Sequence, residues 1–216
     1  GTPLHLACRR GDERSARALM EAGADIHRLS DAKTSVLTEA IHGGLSRLAG
    51  ELLQQGIKPY EGDRVERTAI YQAIERGDLD LNRQLIDTGY LKGIPALRPR
   101  ILQARKLYYH PASVQAGLLR LLVPHLKDHI NGTDGNGVTP LILATYGSRN
   151  ETEAVQALIE LGAEPTIKDN TGLTPLAWAR QIGHHKVAAY LESVSPETDG
   201  GADDAEEETG VSEPEG

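Results

Sequence analysis

An all-α solenoid of stacked helix-turn-helix units, joined by short hairpin-like loops, is the fold the sequence predicts, on three observations. Gly11, Gly44 and Gly77 recur at intervals of 33 residues, as do Gly23, Gly56 and Gly89, Leu4, Leu37 and Ile70, and Ala7, Ala40 and Ala73. Several columns in one register are what a stacked array requires, because each short unit buries its apolar face only against its neighbours. Composition agrees: 39% of the 216 residues are hydrophobic, but Phe is absent and Trp occurs once, so the core must be Leu, Ile, Val and Ala. Finally, Thr-Pro-Leu begins at Thr2, Thr139 and Thr174. There a capping hydroxyl precedes a proline whose missing N–H is harmless at the first helical position.

Taken in order, unit one opens with Thr2-Pro3-Leu4-His5-Leu6-Ala7, and its second helix, through Leu19 and Met20, stops at Gly23-Ala24-Asp25. Unit two replaces the start by Ser35-Val36-Leu37 and places Leu48, Leu52 and Leu53 on an outer helix ending at Gly56. Unit three starts at Thr68-Ala69-Ile70 and runs through Leu81, Leu85 and Ile86 to Gly89. Ile101 and Ala104 follow Ile70 and Ala73 by 31 residues, which marks a degenerate fourth unit with a longer loop near Tyr109-His110-Pro111. Its outer helix holds Leu118, Leu119, Leu121 and Leu122, with Pro124 expected to disturb the end. Unit five opens at Thr139-Pro140-Leu141 and closes at Gly162-Ala163-Glu164. In unit six, Asp169 to Gly172 carries turn chemistry, Leu176, Ala179 and Ile182 keep helical spacing to Gly183, and Val187, Ala188 and Leu191 form the outer helix.

These residues resemble ankyrin repeats: Thr-Pro-Leu-His-x-Ala with a Gly-Ala-Asp stop stands almost intact in unit one. The resemblance covers residues 1–193 and is weakest from Leu91 to Asn131. It implies paired antiparallel helices, projecting loops and a concave face, with about six units of which the first and last are incomplete. Residues 194–216 are read as a disordered acidic tail. Nine of the 31 acidic residues and no Lys or Arg fall there, leaving 22 acids against 23 bases in the rest. At about 3.3 Å per residue it reaches roughly 75 Å, enough to return over the array. The chain starts inside a repeat and reads as a piece of something longer, and Leu4 and Leu6 are expected to lack cover on the N-terminal side.

Residues that carry chemistry elsewhere find structural roles here. His125 and His129 lie four apart, but Pro124 breaks the helix that would align them and no third ligand is identifiable, so no metal and no cofactor are expected. Cys8 holds a small core position, and His5 and His184 are expected to bond loop backbone. No phosphate loop, nucleophile elbow or zinc-ligand cysteine pair occurs, so no enzyme activity is expected. The near-neutral body and acidic tail argue against nucleic acid. No apolar run approaches the roughly 20 residues that span a bilayer, and a lone cysteine suits a reducing compartment, so no membrane association and a cytoplasmic or nuclear location are expected.

From the resemblance, the groove comprises Arg9, Arg10, His42, Arg64, Arg67, Glu75, Arg76, Tyr146 and Gln181, with Arg98, Tyr108 and Tyr109 added by unit four. Arginine and tyrosine are favoured at binding hot spots, and arginine pairs well with carboxylate or phosphate. The expected function is therefore a monomeric scaffold for protein–protein interaction whose partner is acidic or phosphorylated. The alternative is a substrate-recruiting segment of a larger ligase, kinase or protease. The spacing of Leu19, Asp25, Ile26 and His27 resembles the pattern at which ankyrin loops are hydroxylated, with His27 the modified residue.

Overall fold

The computed structural model describes residues 1–57, 68–93 and 98–195, which contain helices and turns and no strand. Arg64, Arg67 and the acidic tail from residue 196 onward lie outside the described residues. Six inner elements form one column: α1 (Pro3–Arg9), α3 (Val36–His42), α5 (Ala69–Arg76), a 3₁₀ turn (Arg105–Tyr109), α10 (Pro140–Gly147) and α12 (Pro175–Gln181). The outer column is α2 (Glu13–Glu21), α4 (Ser46–Gln54), α6 (Leu79–Asp87), α9 (Ala112–Leu126), α11 (Glu153–Glu160) and α13 (His185–Val194). Among the described residues, two single turns, α7 (Tyr90–Gly93) and α8 (Arg98–Ile101), lie between α6 and the 3₁₀ turn. Helix α13 runs on to Val194, one residue into the stretch read as tail.

The local chemistry acts as the sequence predicts. The hydroxyls of Thr2, Ser35, Thr139 and Thr174 accept from the backbone N–H three residues on, capping α1, α3, α10 and α12. Asp12 and Asp78 do the same for α2 and α6. Gly77 follows α5 at φ 69°, a left-handed position that glycine takes without steric cost, and Gly11, Gly44 and Gly183 share that conformation. One continuous apolar cluster runs from Leu4 to Leu191. Leu4 is 1% exposed, contrary to expectation, because α1 packs it against its own unit and α3; Leu6 is 48% exposed. Burial pushes the Cys8 thiol up to about 11, so it packs as a small apolar side chain.

Unit spacing is set by glycines where inner elements meet. A Cβ on Gly43 would overlap the Cys8 carbonyl oxygen and stand 2.9 Å from Gly11 N. On Gly147 it would overlap the Tyr108 carbonyl oxygen. Both glycines let adjacent units approach backbone to backbone.

Unit four departs from the expected register. Its inner element is the five-residue 3₁₀ turn, set between α5 and α10, with Ile101 and Ala104 buried ahead of it. The longer loop therefore precedes the inner element. At the expected place, His110 and Pro111 lead straight into α9, pinned by His110 Nε2 on the Ile74 carbonyl at 2.7 Å and by the Gln115 amide donating to the Tyr108 and His110 carbonyls. Helix α9 continues through Pro124 to Leu126, and a 3₁₀ turn over Lys127–His129 follows. His125 and His129 thus lie on different elements, and among the described residues no cluster of three or more His, Cys, Asp or Glu is placed to hold a metal ion.

Candidate functional site

Each inner helix presents its fourth and seventh residues, one helical turn apart, along the concave face. In chain order these are Leu6 and Arg9, Glu39 and His42, Gln72 and Glu75, Leu143 and Tyr146, and Trp178 and Gln181. The stripe changes character along the array. Over the first three units, Leu6 apart, it is polar and internally paired. Arg9 Nε lies 3.8 Å from Glu39, His42 Nδ1 is 3.2 Å from Gln72 Oε1, and Arg76 donates to the His42 carbonyl at 3.2 Å. Lys106 from the 3₁₀ turn reaches Glu75 at 3.0 Å.

Over the last three units the stripe turns aromatic and encloses a cleft of about 390 Å³. Tyr109 and Tyr146 are 57% and 59% exposed. The Tyr146 and Trp178 rings meet edge to face, centroids 6.0 Å apart at 81°, the favoured aromatic geometry. Val138, Ile142 and Leu143 add apolar wall, and Arg105, Asn136 and Asn170 supply polar groups.

Two hairpins hold this cleft in shape. In each, an aspartate accepts N–H groups two and four residues on: Asn136 and Val138 at Asp134, Thr171 and Leu173 at Asp169. The hairpins are tied together by Asn170, whose backbone N–H donates to the Asn136 carbonyl at 3.0 Å and whose amide donates to the Gly135 carbonyl at 3.1 Å. Asp169 also receives the Trp178 indole N–H at 2.7 Å and the Thr171 hydroxyl at 2.6 Å. Burial alone would raise this carboxyl, but the donated bonds outweigh it and hold Asp169 below its ordinary value. The indole is thereby fixed by a charge-assisted bond.

The other expected residues are placed as follows. Arg10, His42 and Arg76 are exposed and Glu75 is half-buried; Gln181 is exposed next to the aromatic end. Tyr108 is 1% exposed, and its hydroxyl donates to the Leu102 carbonyl at 2.6 Å. It serves as floor beneath the cleft and is not on the groove, because the tight 3₁₀ turn sends successive tyrosines in different directions. Arg98 turns from the concave face to the last turn of α9, where it donates to the His125 carbonyl at 2.7 Å. His27 is exposed in the loop after α2, its N–H bonded to Asp25 at 2.9 Å. His5 bonds the Thr34 carbonyl, and His184 that of Thr145, each satisfying backbone of a neighbouring unit. Burial lowers His5 below its ordinary value.

Trp178, Asp169 and Arg105 are among the cleft residues that sequence reasoning missed. The signal was present: Trp178 stands three residues before Gln181, on the same helical face.

Two family models match, a single ankyrin repeat over residues 1–31 and a block of three ankyrin repeats over residues 110–199. The chain belongs to the ankyrin repeat family. Ankyrin arrays are generally modules for protein–protein interaction. Among curated relatives, this ankyrin chain is 27% identical over 179 residues to Protein glp-1 of Caenorhabditis elegans, covering 80% of the chain and 14% of that protein. It is 28% identical over 176 residues to a putative ankyrin repeat protein of Rickettsia bellii, covering 82% of the chain and 90% of the relative. Among solved structures, a chain from the complex of a predatory endopeptidase of Bdellovibrio bacteriovorus with an immunity protein superposes with a TM-score of 0.67. That match covers 90% of this chain and 99% of that one at 18% identity, a likeness of fold. No helix among the described residues is long and apolar enough to cross a membrane.

Proposed function

We propose that this ankyrin array is a monomeric, non-enzymatic scaffold that binds a segment of a partner protein along its concave face, anchored in the aromatic cleft. The observation that carries the reading is the exposure of Tyr109 and Tyr146 around a hollow already shaped by hydrogen-bonded hairpins. Rigid aromatic walls supply contact area at little entropic cost, and a pre-formed site saves the ordering cost of binding. Arg105, Arg10 and Arg76 beside this stripe favour acidic or phosphorylated residues flanking the apolar anchor, in the cytoplasm or nucleus.

The test compares proteins retained by the intact chain with those retained by Tyr109→Ser/Tyr146→Ser, both checked for unchanged melting. Partners bound through the cleft are lost with the variant, and any acidic dependence appears as elution by salt. An identical set retained by a fully folded variant refutes the cleft as the anchor.

A further inference from the structure

The aromatic cleft lies in the last three units, and the acidic tail departs from the last of them. Helix α13 folds back on α12 over the joint Ile182–His184, so the chain leaves the array beside the helix that carries Trp178. All nine acids from Val194 onward fall between Glu197 and Glu215, with no base among them. Within this acidic run the apolar side chains larger than alanine, beyond Pro196, are Val211 and Pro214, and Pro214 stands between Glu213 and Glu215. The cleft has the complementary character. Its walls are Tyr109, Tyr146 and Trp178, and Arg105 at its edge is exposed, with no carboxylate partner among the described residues.

We infer that the tail segment Val211–Glu215 docks in this cleft as an intramolecular competitor for the partner, with Val211 and Pro214 against the aromatic rings and the flanking glutamates beside Arg105. The inference rests on the cleft being the binding site proposed above. Reach supports it. Fifteen residues, 196–210, link the array to Val211, and a flexible chain of that length has a root-mean-square span of roughly 20 Å. Helix layers stack about 8–10 Å apart, so two layers across the cleft measure about the same. Matching of linker and span is the condition for a high effective concentration, in the millimolar range, which lets a weak segment occupy the site.

Trp178 is the single tryptophan of the chain and sits in the cleft, so its emission and its quenching by neutral acrylamide read occupancy directly. In the full chain at low salt, Trp178 is expected to be about half as quenchable as in Val211→Asp/Pro214→Asp or in Arg105→Glu, and high salt should bring the three together. Because the Asp variant makes the tail more acidic, protection that survives in it overturns the proposed seat, leaving charge alone. A synthetic peptide of residues 196–216 added to the Val211→Asp/Pro214→Asp chain should restore protection, and a peptide of the same composition in scrambled order should not. Equal quenching of all chains at low salt refutes docking. If that occurs while Tyr109→Ser/Tyr146→Ser still loses partners, the tail reading fails and the cleft reading stands.

Discussion

Replacing Gly43 by alanine probes the contact that sets the distance between units one and two. Gly43 has an ordinary helical φ of −74°, so a side chain there meets no backbone strain of its own. The whole cost is steric: the methyl overlaps the Cys8 carbonyl oxygen and stands 2.9 Å from Gly11 N and 3.1 Å from the Cys8 carbonyl carbon. All three are backbone atoms, so α1 must shift as a body. Overpacking of this kind costs about 1–3 kcal/mol, and the upper half of that range is expected where no side chain can swing away. In a linear array the loss falls on the nearest-neighbour interface, opening unit one more than the rest. Each 1.4 kcal/mol is a factor of ten, so a cost of about 2–3 kcal/mol should raise opening about 30- to 140-fold. Cys8 is fully buried and is the only cysteine, which makes its labelling by a thiol reagent a direct measure of that opening. The control is Gly50→Ala in the middle of α4. There the new methyl meets only the Gln84 side-chain amide, at 2.7 Å, on an exposed and flexible residue. Relief of the glycine propensity penalty, about 0.8–1 kcal/mol, should leave that variant neutral or more stable. If Gly43→Ala labels no faster than the parent, or if both variants lose stability alike, backbone contact does not govern unit spacing.

Gly147→Ala should act the same way at the interface of α10 with the 3₁₀ turn, costing about 1–3 kcal/mol in urea melts and shifting Trp178 emission as the cleft floor moves. Lys33 occupies the left-handed position (φ 60°) of the Ser30–Thr34 hairpin, where the equivalent residues are Gly137 and Gly172; Lys33→Gly should raise the urea midpoint by about 0.5 kcal/mol of stability, the balance of backbone strain against chain entropy. Asp169 is held below its ordinary value, so its stabilisation is complete above about pH 4 and is lost as pH falls through the depressed value. Trp178 emission should therefore change with a midpoint below pH 4, and Asp169→Asn should remove that transition. At neutral pH, Asp169→Ala should cost about 1–2 kcal/mol by unfolding titration, because it strips the hairpin and the indole of their acceptor.

The repeats were legible because their causes are local. Thr2, Ser35, Thr139 and Thr174 announce helix starts by capping chemistry alone, and Gly77 announces a stop by its conformation. Unit four was legible only in outline, since a 3₁₀ turn of five residues leaves no periodic trace. What fixes it is long-range: His110 on the Ile74 carbonyl and Gln115 on two carbonyls of the turn. The same limit governs the site. That Tyr109 faces the cleft while Tyr108 fills the core depends on which way a tight turn rotates. That Arg98 closes the end of α9 depends on a partner 27 residues away. Trp178 was within reach, because helical spacing alone puts it on the face of Gln181.

The cleft follows from the irregularity of unit four. Regular inner helices here are seven or eight residues long, and side by side they offer a continuous ridge. A five-residue 3₁₀ turn fills less of its place in the column. Gly147 lets its backbone press against α10, and Tyr108 fills the space beneath while Tyr109 is left standing above it. The hollow so formed is walled on its far side by Tyr146 and Trp178, which regular helices position one turn before and one unit beyond. Departure from the repeat is thus what separates this concave surface from a generic one: the regular units make it rigid, and the irregular unit gives it a shape that a partner can recognise.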